Sequence, residues 1–222
     1  MKRILFIALA SIILLITGCQ QEDTNDDIKY EDYVYTKYDL DVKDKVKLGE
    51  EDAENTFVLA FDYSCPWCHK WMKEVLPEIE KSYIDNGQAN YVGQPLVMLD
   101  QTSLQLSHVD YFIEKNKPEK LYDFQLKMAN EAGTETFGTE EHILSTLSDY
   151  GINSSLEELE KNNPDPISIT RNYTKNFGVE FVPTLYINGL KVYNAFSLEE
   201  IEKIITGEIK ENDVIKVPVS EG

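Results

Sequence analysis

The feature that most constrains this chain is a closely spaced pair of cysteines, Cys65 and Cys68, which lies between a short apolar run and a helical pattern. Residues 57–61 (FVLAF) are continuously apolar, which is typical of a strand buried on both faces of a central sheet. Beyond the cysteines, apolar side chains recur at helical spacing over residues 72–83. The sequence therefore predicts a buried strand, a turn that carries both cysteines, and a helix that begins at this turn.

This placement suits the redox chemistry of two thiols. The N-terminus of a helix has unpaired backbone N–H groups and the positive end of the helix dipole, and both stabilise a thiolate. We therefore expect Cys65 to have a lowered pKa and to be the exposed sulfur that is attacked, with Cys68 one turn later to close or open the disulfide. Pro66 suits the first helical position, and it is also expected to contact the substrate. Trp67 is expected to offer a partly exposed apolar surface to an unfolded substrate.

The N-terminal residues have the pattern of a bacterial export signal. Two basic residues precede an apolar stretch over residues 4–16, which is too short to span a bilayer comfortably. The stretch ends in ITGC, which resembles the lipobox of bacterial lipoproteins, where the cysteine is lipidated and becomes the new N-terminus. An ordinary cleaved signal or a buried first helix would leave this cysteine unexplained. We therefore predict a lipid on Cys19 and a protein anchored to the extracytoplasmic face of the bacterial cell membrane.

The cysteine count and the net charge limit the remaining functions. The chain has three cysteines, so a lipid on Cys19 would leave two, too few for a framework of structural disulfides. The formal net charge is −19. Nucleic acid is excluded as a natural partner, because phosphate binding needs clustered lysines and arginines. The acidity is interpreted as a solvated surface.

The rest of the chain alternates between sheet and helix patterns. Residues 33–48 predict one or two edge strands, and residues 91–99 predict a second strand, with Gly93 and Pro95 marking an irregularity or a bulge. Residues 101–163 have helical patterns throughout. The dipeptide Asn188-Gly189 between two short apolar runs is a strong hairpin signal, and Ser197 precedes a final amphipathic helix.

A second motif, Val182-Pro183-Thr184, leads directly into the hairpin. Together with residues 61–68 (FDYSCPWC) and residues 182–189 (VPTLYING), it resembles the DsbA-like branch of thioredoxin-fold proteins, over roughly residues 46–205. The resemblance implies an α/β, thioredoxin-like fold with an inserted helical domain. It also implies a cis peptide bond between Val182 and Pro183, placed beside the two cysteines, and a substrate peptide paired as a short strand with the backbone of Val182.

These observations divide the chain into six consecutive parts. Two precede the folded domain, three belong to it, and one follows it. They are a lipoprotein signal peptide (residues 1–18), a flexible tether with lipidated Cys19 (19–31), the first part of the thioredoxin domain (32–100), the helical insertion (101–165), the second part of the thioredoxin domain with Pro183 (166–210), and a C-terminal tail (211–222).

The resemblance implies a thiol–disulfide oxidoreductase that acts through Cys65 and Cys68, most naturally a disulfide-forming oxidase of exported proteins. Its partners would be exported proteins with reduced cysteines and a reoxidising partner, either a quinone-linked membrane protein or a small-molecule oxidant. The chemistry needs no bound cofactor. An extracytoplasmic thiol reductase of the same fold is the alternative.

A protein of a different class could carry the same cysteines. Cys65 and Cys68 followed by His69 also match the attachment pattern of c-type haem. The buried strand before the pair, Pro66 within it and the distal Val182-Pro183 motif favour the thioredoxin interpretation, in which His69 is expected to be an exposed residue of the first helical turn. The sequence has no second cysteine pair or clustered histidines, so no metal site is predicted.

One position departs from the family pattern. Several DsbA-like and thioredoxin-like proteins keep a buried acidic residue on the strand below the disulfide, and the position six residues before Cys65 is Leu59 here. Asp62 is the nearest acid, and we interpret it as a polar residue that closes the strand. The sequence therefore leaves the proton acceptor of the redox pair unassigned.

Overall fold

A five-stranded sheet forms the centre of the fold, and two further strands form a separate ribbon. The computed structural model describes residues 29–161 and 164–219. The predicted signal peptide, Cys19 and most of the tether lie outside these residues. The strands are β1 (Tyr30–Val34), β2 (Leu48–Gly49), β3 (Asn55–Phe61), β4 (Ala89–Pro95), β5 (Thr184–Ile187), β6 (Leu190–Lys191) and β7 (Val214–Pro218). The sheet has the strand order β2-β4-β3-β5-β6, and the ribbon pairs β1 with β7.

Helices cover both faces of the sheet, and most of them lie between β4 and β5 in the chain. They are α1 (Pro66–Glu74), α2 (Leu76–Ile79) with a π-turn (Glu80–Ile84), α3 (Gln101–Asn116), a 3₁₀ turn (Pro118–Lys120), α4 (Leu121–Glu131), α5 (Glu140–Asp149), α6 (Leu156–Lys161), α7 (Pro166–Asn176) and α8 (Leu198–Ile205). No helix among the described residues is long and apolar enough to cross a bilayer.

Strand β3 is the central strand that the apolar run predicts. It pairs in parallel with β4 and antiparallel with β5. Phe57, Leu59 and Phe61 pack into the core on the side of α1, α3 and α4, whereas Val58 and Ala60 pack on the side of α7. Burial on both faces explains why the run is apolar without alternation.

The inserted segment begins and ends with capped helices. The Asp100 side chain accepts the Ser103 N–H at the start of α3, and the Asp165 side chain accepts the Ile167 N–H at the start of α7. The helical pattern predicted over residues 101–163 is interrupted by turns over residues 132–139. The architecture is an α/β, thioredoxin-like fold with an inserted helical domain, as predicted.

The two ends of the described chain pair with each other. Strand β1 runs antiparallel to β7, from Tyr30 opposite Pro218 to Val34 opposite Val214. Residues 211–222, which the sequence predicts as a tail, therefore contain a strand. The pattern of β7 is too short and too exposed to indicate a strand without its partner, which lies at the other end of the chain. Strand β4 also ends at Pro95, earlier than predicted, because residues 96–99 form the connection to α3.

Candidate redox site

The turn between β3 and α1 holds both cysteines at the start of the helix. Cys65 is the N-cap residue of α1, with extended backbone angles, and Pro66 occupies the first turn. The Cys65 side chain was expected to be exposed, but only 5 % of the residue's surface is accessible, while Cys68 is fully buried. Helix α1 packs against the core, and the two cysteines at its start are buried with it. Cys65 is nevertheless the more accessible of the two cysteines.

The two sulfurs differ sharply in acidity. Both cysteines are free thiols in this structure. A hydrogen bond from the Cys68 thiol lowers the pKa of Cys65 to about 6, with help from the backbone N–H groups of Cys68 and Trp67 and against the effect of burial. Burial raises the pKa of Cys68 far above its ordinary value. Near neutral pH the pair is therefore one thiolate, on Cys65, and one thiol, on Cys68.

The distal proline motif lies directly beside this pair. The peptide bond between Val182 and Pro183 is cis, as the resemblance implies. The Cys65 sulfur lies 3.6 Å from the Val182 carbonyl oxygen. Pro183 is buried, whereas Val182 is half-buried at the edge of the site. The fold thus brings the two sequence motifs together.

An aromatic cleft opens next to the cysteines. Trp67 has 60 % of its surface exposed, as predicted for this side chain, and its ring meets that of Phe196 edge to face, with the ring centroids 6.1 Å apart. Phe181 is also exposed. These side chains, together with Val182, line a cleft of about 680 Å³. The cleft can hold an extended apolar segment next to the reactive sulfur.

The β1–β7 ribbon contributes a wall that sequence reasoning missed. Glu31 and Tyr33 from β1 and Pro218 from β7 line the same cleft. The Tyr33 ring meets the Tyr193 ring, with centroids 4.9 Å apart, which attaches the ribbon to the opposite wall. No sequence signal could have assigned these residues, because their position depends on pairing between the two ends of the chain.

The loop before α8 is fixed by a buried carboxylate. Glu200 accepts hydrogen bonds from the Tyr193 N–H at 2.7 Å, the Asn194 N–H at 3.1 Å and the Tyr35 hydroxyl at 3.0 Å. On the same loop, the Ala195 carbonyl accepts the indole N–H of Trp71, at 2.7 Å. The loop that carries Phe196 is therefore attached both to α8 and to the helix that carries the cysteines.

Asp62 does more than close the strand. It is fully buried, and its carboxylate accepts hydrogen bonds from four donors. These donors are the backbone N–H groups of Ser64, Met98 and Leu99 and the hydroxyl of Ser103. Its own backbone N–H lies 3.5 Å from the Cys68 sulfur. Asp62 thus ties the redox turn to the connection that leads into α3.

His69 was expected to be exposed, and this prediction is wrong. Only 8 % of its surface is accessible, and its Nε2 lies 2.7 Å from the Tyr63 carbonyl oxygen. Burial lowers its pKa. The ring is held inside the domain by the turn itself, and the alternative of a c-type haem protein is not supported. Among the described residues, no group of three or more His, Cys, Asp or Glu side chains is arranged to hold a metal ion.

Comparison with known proteins finds relatives in sequence and in fold. Disulfide bond formation protein D of Bacillus subtilis (strain 168) is 25% identical over 176 residues, which is 76% of this chain and 79% of that protein. The crystal structure of oxidised BdbD from Bacillus subtilis superposes with a TM-score of 0.68 at 22% identity, covering 79% of this chain and 98% of that one. For α-DsbA2 from Wolbachia pipientis the TM-score is 0.60 at 23% identity, covering 74% and 87%.

The sequence model of the family described as thioredoxin matches residues 41–207. This match runs from the segment before β2, through the cysteine turn and the inserted helices, to the end of α8. The chain therefore belongs to the thioredoxin family, as a DsbA-like thiol–disulfide oxidoreductase.

Proposed function

We propose that this protein forms disulfides in exported proteins, with Cys65 as the attacked sulfur and Cys68 as its partner. The observation that carries the proposal is the unequal acidity of the two sulfurs. A thiolate of low pKa is a good leaving group, and it stabilises the reduced form of the enzyme. The lowered pKa of Cys65, about 6, favours the reduced form of the pair, which is the direction that oxidation of a substrate requires.

The reaction consists of two exchanges. A substrate thiolate attacks the Cys65 sulfur of the oxidised pair, and Cys68 leaves as the thiolate and takes up a proton. A second substrate thiolate then attacks the substrate sulfur of the mixed disulfide and releases Cys65 as a thiolate. The substrate has lost two electrons, and the enzyme has gained them as one thiolate and one thiol. A disulfide-forming oxidant must then reoxidise the pair.

The cleft supports a polypeptide substrate. Trp67, Phe181 and Phe196 offer exposed rings to apolar side chains of an unfolded chain. The backbone at Val182, next to Cys65, can pair with an extended peptide as a short strand. Pro183 lines the same cleft, and Pro66, exposed on the first turn of α1, would contact the substrate beside Cys65.

The proposal includes the location of the enzyme and its partners. A lipid on Cys19 would hold the domain at the extracytoplasmic face of the bacterial membrane, within reach of newly exported chains with reduced cysteines. The electrons would leave through a quinone-linked membrane protein or a small-molecule oxidant. Labelling of cells with a radioactive fatty acid tests the anchor. The intact chain should carry the label, and Cys19→Ser should not.

The reduction potential tests the direction of the reaction. The purified protein is equilibrated in graded glutathione buffers, and the fraction reduced is measured. Known centres range from about −270 mV for thioredoxin to about −120 mV for DsbA. A value towards the DsbA end is expected. A value near that of thioredoxin would overturn the oxidase and favour the alternative, an extracytoplasmic thiol reductase of the same fold.

A further inference from the structure

A buried glutamate on α8 is bonded to the two segments that form neighbouring walls of the cleft. Glu200 has only 9 % of its surface accessible, although glutamates are seldom buried without partners. Removal of a carboxylate from water is costly, so a buried one is normally found where it accepts several hydrogen bonds. The exchange reaction described above makes no use of this carboxylate. Its hydrogen bonds indicate another role.

The position of Glu200 in its helix predicts a purely local role, which the structure does not show. Glu200 is the third residue of α8 after the N-cap residue Ser197, whose hydroxyl accepts the Glu200 N–H at 3.2 Å. A glutamate at this position often accepts the N–H of the N-cap residue in return, which completes a capping box. Here the Ser197 N–H donates instead to the Asn194 carbonyl oxygen. The carboxylate extends beyond Ser197 to the loop before the helix.

In that loop the carboxylate accepts two adjacent backbone N–H groups, one on each oxygen. The Tyr193 N–H donates to Oε1 at 2.7 Å, and the Asn194 N–H donates to Oε2 at 3.1 Å. The Asn194 side chain in turn accepts the Phe196 N–H at 3.0 Å. The Ala195 carbonyl is bonded to the cysteine helix, as described above. The Phe196 ring therefore stands on a loop in which each residue from 193 to 196 has a hydrogen bond that fixes its backbone.

The third hydrogen bond comes from the opposite wall of the cleft. Tyr35 follows β1 directly, its side chain is buried, and its hydroxyl donates to Glu200 Oε1 at 3.0 Å. The backbone of Tyr35 extends the ribbon at the same point. Its N–H donates to the Asp213 carbonyl at 2.9 Å, and its carbonyl accepts the Asn212 N–H at 2.8 Å. One hydroxyl therefore attaches the β1–β7 ribbon to the carboxylate.

Aromatic contacts complete a closed ring of interactions around Glu200. The Tyr35 ring meets the Tyr33 ring edge to face, with the centroids 5.2 Å apart, and the Tyr33 ring meets the Tyr193 ring. The Tyr193 N–H then returns to the carboxylate. Burial raises the pKa of both Tyr33 and Tyr35, and the charge of Glu200 adds to the effect. Both hydroxyls therefore keep their protons near neutral pH and can donate.

We propose that Glu200 is a positioning residue for polypeptide substrates, which sets the separation between the β1–β7 ribbon and the Phe196 loop across the cleft. The inference deepens the proposed function and rests on it, since it concerns the polypeptide that would occupy the cleft. Within the described part of the chain, the cleft is lined by Tyr33, Tyr193 and Phe196 but not by Glu200. Glu200 therefore acts through the residues that it holds.

A carboxylate suits this role better than the amide of a glutamine. Its two oxygens accept three donors, and it lies in the first turn of α8, where negative charge is favourable. An amide would turn an N–H₂ group towards one of the backbone donors, so that part of the loop would lose its acceptor. A polypeptide that contacts both walls depends on their separation. Glutathione, which needs only the Cys65 sulfur, does not.

The test compares a polypeptide with glutathione in Glu200→Gln. Oxidised protein is mixed with an excess of a short synthetic peptide that has two reduced cysteines between leucine and phenylalanine residues, and reduction of the protein is followed by acid quenching. The rate constant at increasing peptide concentration gives the half-saturating concentration and the maximal rate. Glu200→Gln should raise the half-saturating concentration about three- to tenfold and change the maximal rate less than about twofold. The rate with reduced glutathione should not change.

Two further variants make the result specific. Glu199→Gln alters the neighbouring, exposed glutamate of α8 and should behave as the wild type. Tyr35→Phe removes only the hydroxyl that attaches the ribbon, and it should also raise the half-saturating concentration. Loss of folded protein alone would lower the amplitude with both reagents and leave the half-saturating concentration unchanged.

A wild-type half-saturating concentration in Glu200→Gln overturns the inference, as does an equal change of rate with glutathione. Should Glu200→Gln not fold, the same criteria apply to Tyr35→Phe. Failure of the wild-type protein to convert the peptide to its disulfide would instead overturn the proposed function.

Discussion

The Cys65 sulfur lies 3.6 Å from the carbonyl oxygen of Val182, although 117 positions separate the two residues in the chain. This contact joins the turn after β3 to the segment before β5, and these two strands are antiparallel neighbours in the sheet. A peptide that paired with the backbone at Val182, as proposed above, would have its own cysteine directly beside the Cys65 sulfur. The proposed peptide-binding position and the reactive sulfur are adjacent because the turn after β3 and the segment before β5 lie at the same end of two neighbouring strands.

The two cysteines should behave differently when each is replaced. Cys65→Ser should abolish exchange, because it removes the attacked sulfur. Cys68→Ser should accumulate mixed disulfides with substrate, because no second thiol remains to release them. Non-reducing gels of protein incubated with a substrate that contains a disulfide, which the Cys65 thiolate attacks with release of one substrate thiolate, would show the trapped species. Cys19→Ser, the control, should retain turnover. Retained turnover in Cys65→Ser would contradict the assignment of the attacked sulfur.

Titration of the Cys65 thiolate should give a midpoint near 6 in the reduced protein, followed by ultraviolet absorbance. The hydrogen bond from Cys68 is the largest cause of the lowered pKa, so Cys68→Ala should move the midpoint upward, towards the ordinary value of about 8.5. Cys68→Ser should give an intermediate value, because a hydroxyl still donates. An unchanged midpoint in Cys68→Ala would refute this account of the acidity.

The same lowered pKa should make the stability of the reduced form depend on pH. A thiol whose pKa is depressed by folding stabilises the folded state above the pKa of the unfolded chain, about 8.5, and this stabilisation is lost as the pH falls through about 6. The oxidised form has no such thiol. Denaturant unfolding of both forms between pH 5 and 8 should therefore show that the free energy of unfolding of the reduced form increases relative to that of the oxidised form as the pH rises. Above about 8.5 the raised pKa of Cys68 acts in the opposite direction. Parallel curves would contradict the linkage.

Trp67 should contribute to binding of polypeptides and not to the chemistry. Its ring is 60 % exposed beside the cleft, so Trp67→Ala should raise KM for an unfolded substrate by up to about tenfold. The rate of exchange with glutathione, which is too small to use the cleft, should stay the same. Ile167→Ala is the matched control, since it removes another exposed apolar side chain, on α7. Equal effects on both substrates would place Trp67 in the chemistry instead.

The parts of the fold that local patterns determine were predictable from the sequence. The apolar run of β3, the cysteines at the start of α1 and the Asn188-Gly189 hairpin each depend on a few adjacent residues. Asn188 takes a positive φ of 52° and Gly189 one of 81°, the backbone angles that this dipeptide favours in a tight hairpin. Val182-Pro183 was recognisable only together with the cysteine motif, because an X-Pro step alone is common at the start of a strand.

The parts that depend on packing between distant segments were not predictable. His69 was expected to be exposed because it is polar and lies in a first helical turn. In the structure the turn folds back, and a ring nitrogen of His69 lies within hydrogen-bond distance of the Tyr63 carbonyl oxygen. Asp110 lies in a helix of mixed polarity, and nothing in its neighbourhood in the sequence distinguishes it from a surface carboxylate. Its burial arises only when α3 and α4 pack against β4. The wall that β1 and β7 add to the cleft has the same origin.

Asp62 provides a test of how the redox turn is held. Asp62→Ala would leave the N–H groups of Met98 and Leu99 without their acceptor, which lies at 2.7 and 3.1 Å in the structure, and would empty the buried position of the carboxylate. The free energy of unfolding should fall by roughly 2–4 kcal/mol, as measured by denaturant titration. Ser103→Ala removes one of the donors to the same carboxylate and should cost about 1 kcal/mol.

The control for this substitution is Asp39→Ala, which removes an exposed carboxylate from the segment before β2 and should change the stability by less than about 0.5 kcal/mol. Asp62→Ala should also loosen the start of α3, because Ser103 hydrogen-bonds both Asp62 and the N-cap residue Asp100. Faster amide hydrogen exchange over residues 97–104 would report this loosening. An Asp62→Ala variant as stable as Asp39→Ala would contradict the role of the Asp62 carboxylate in connecting the redox turn to the inserted helices.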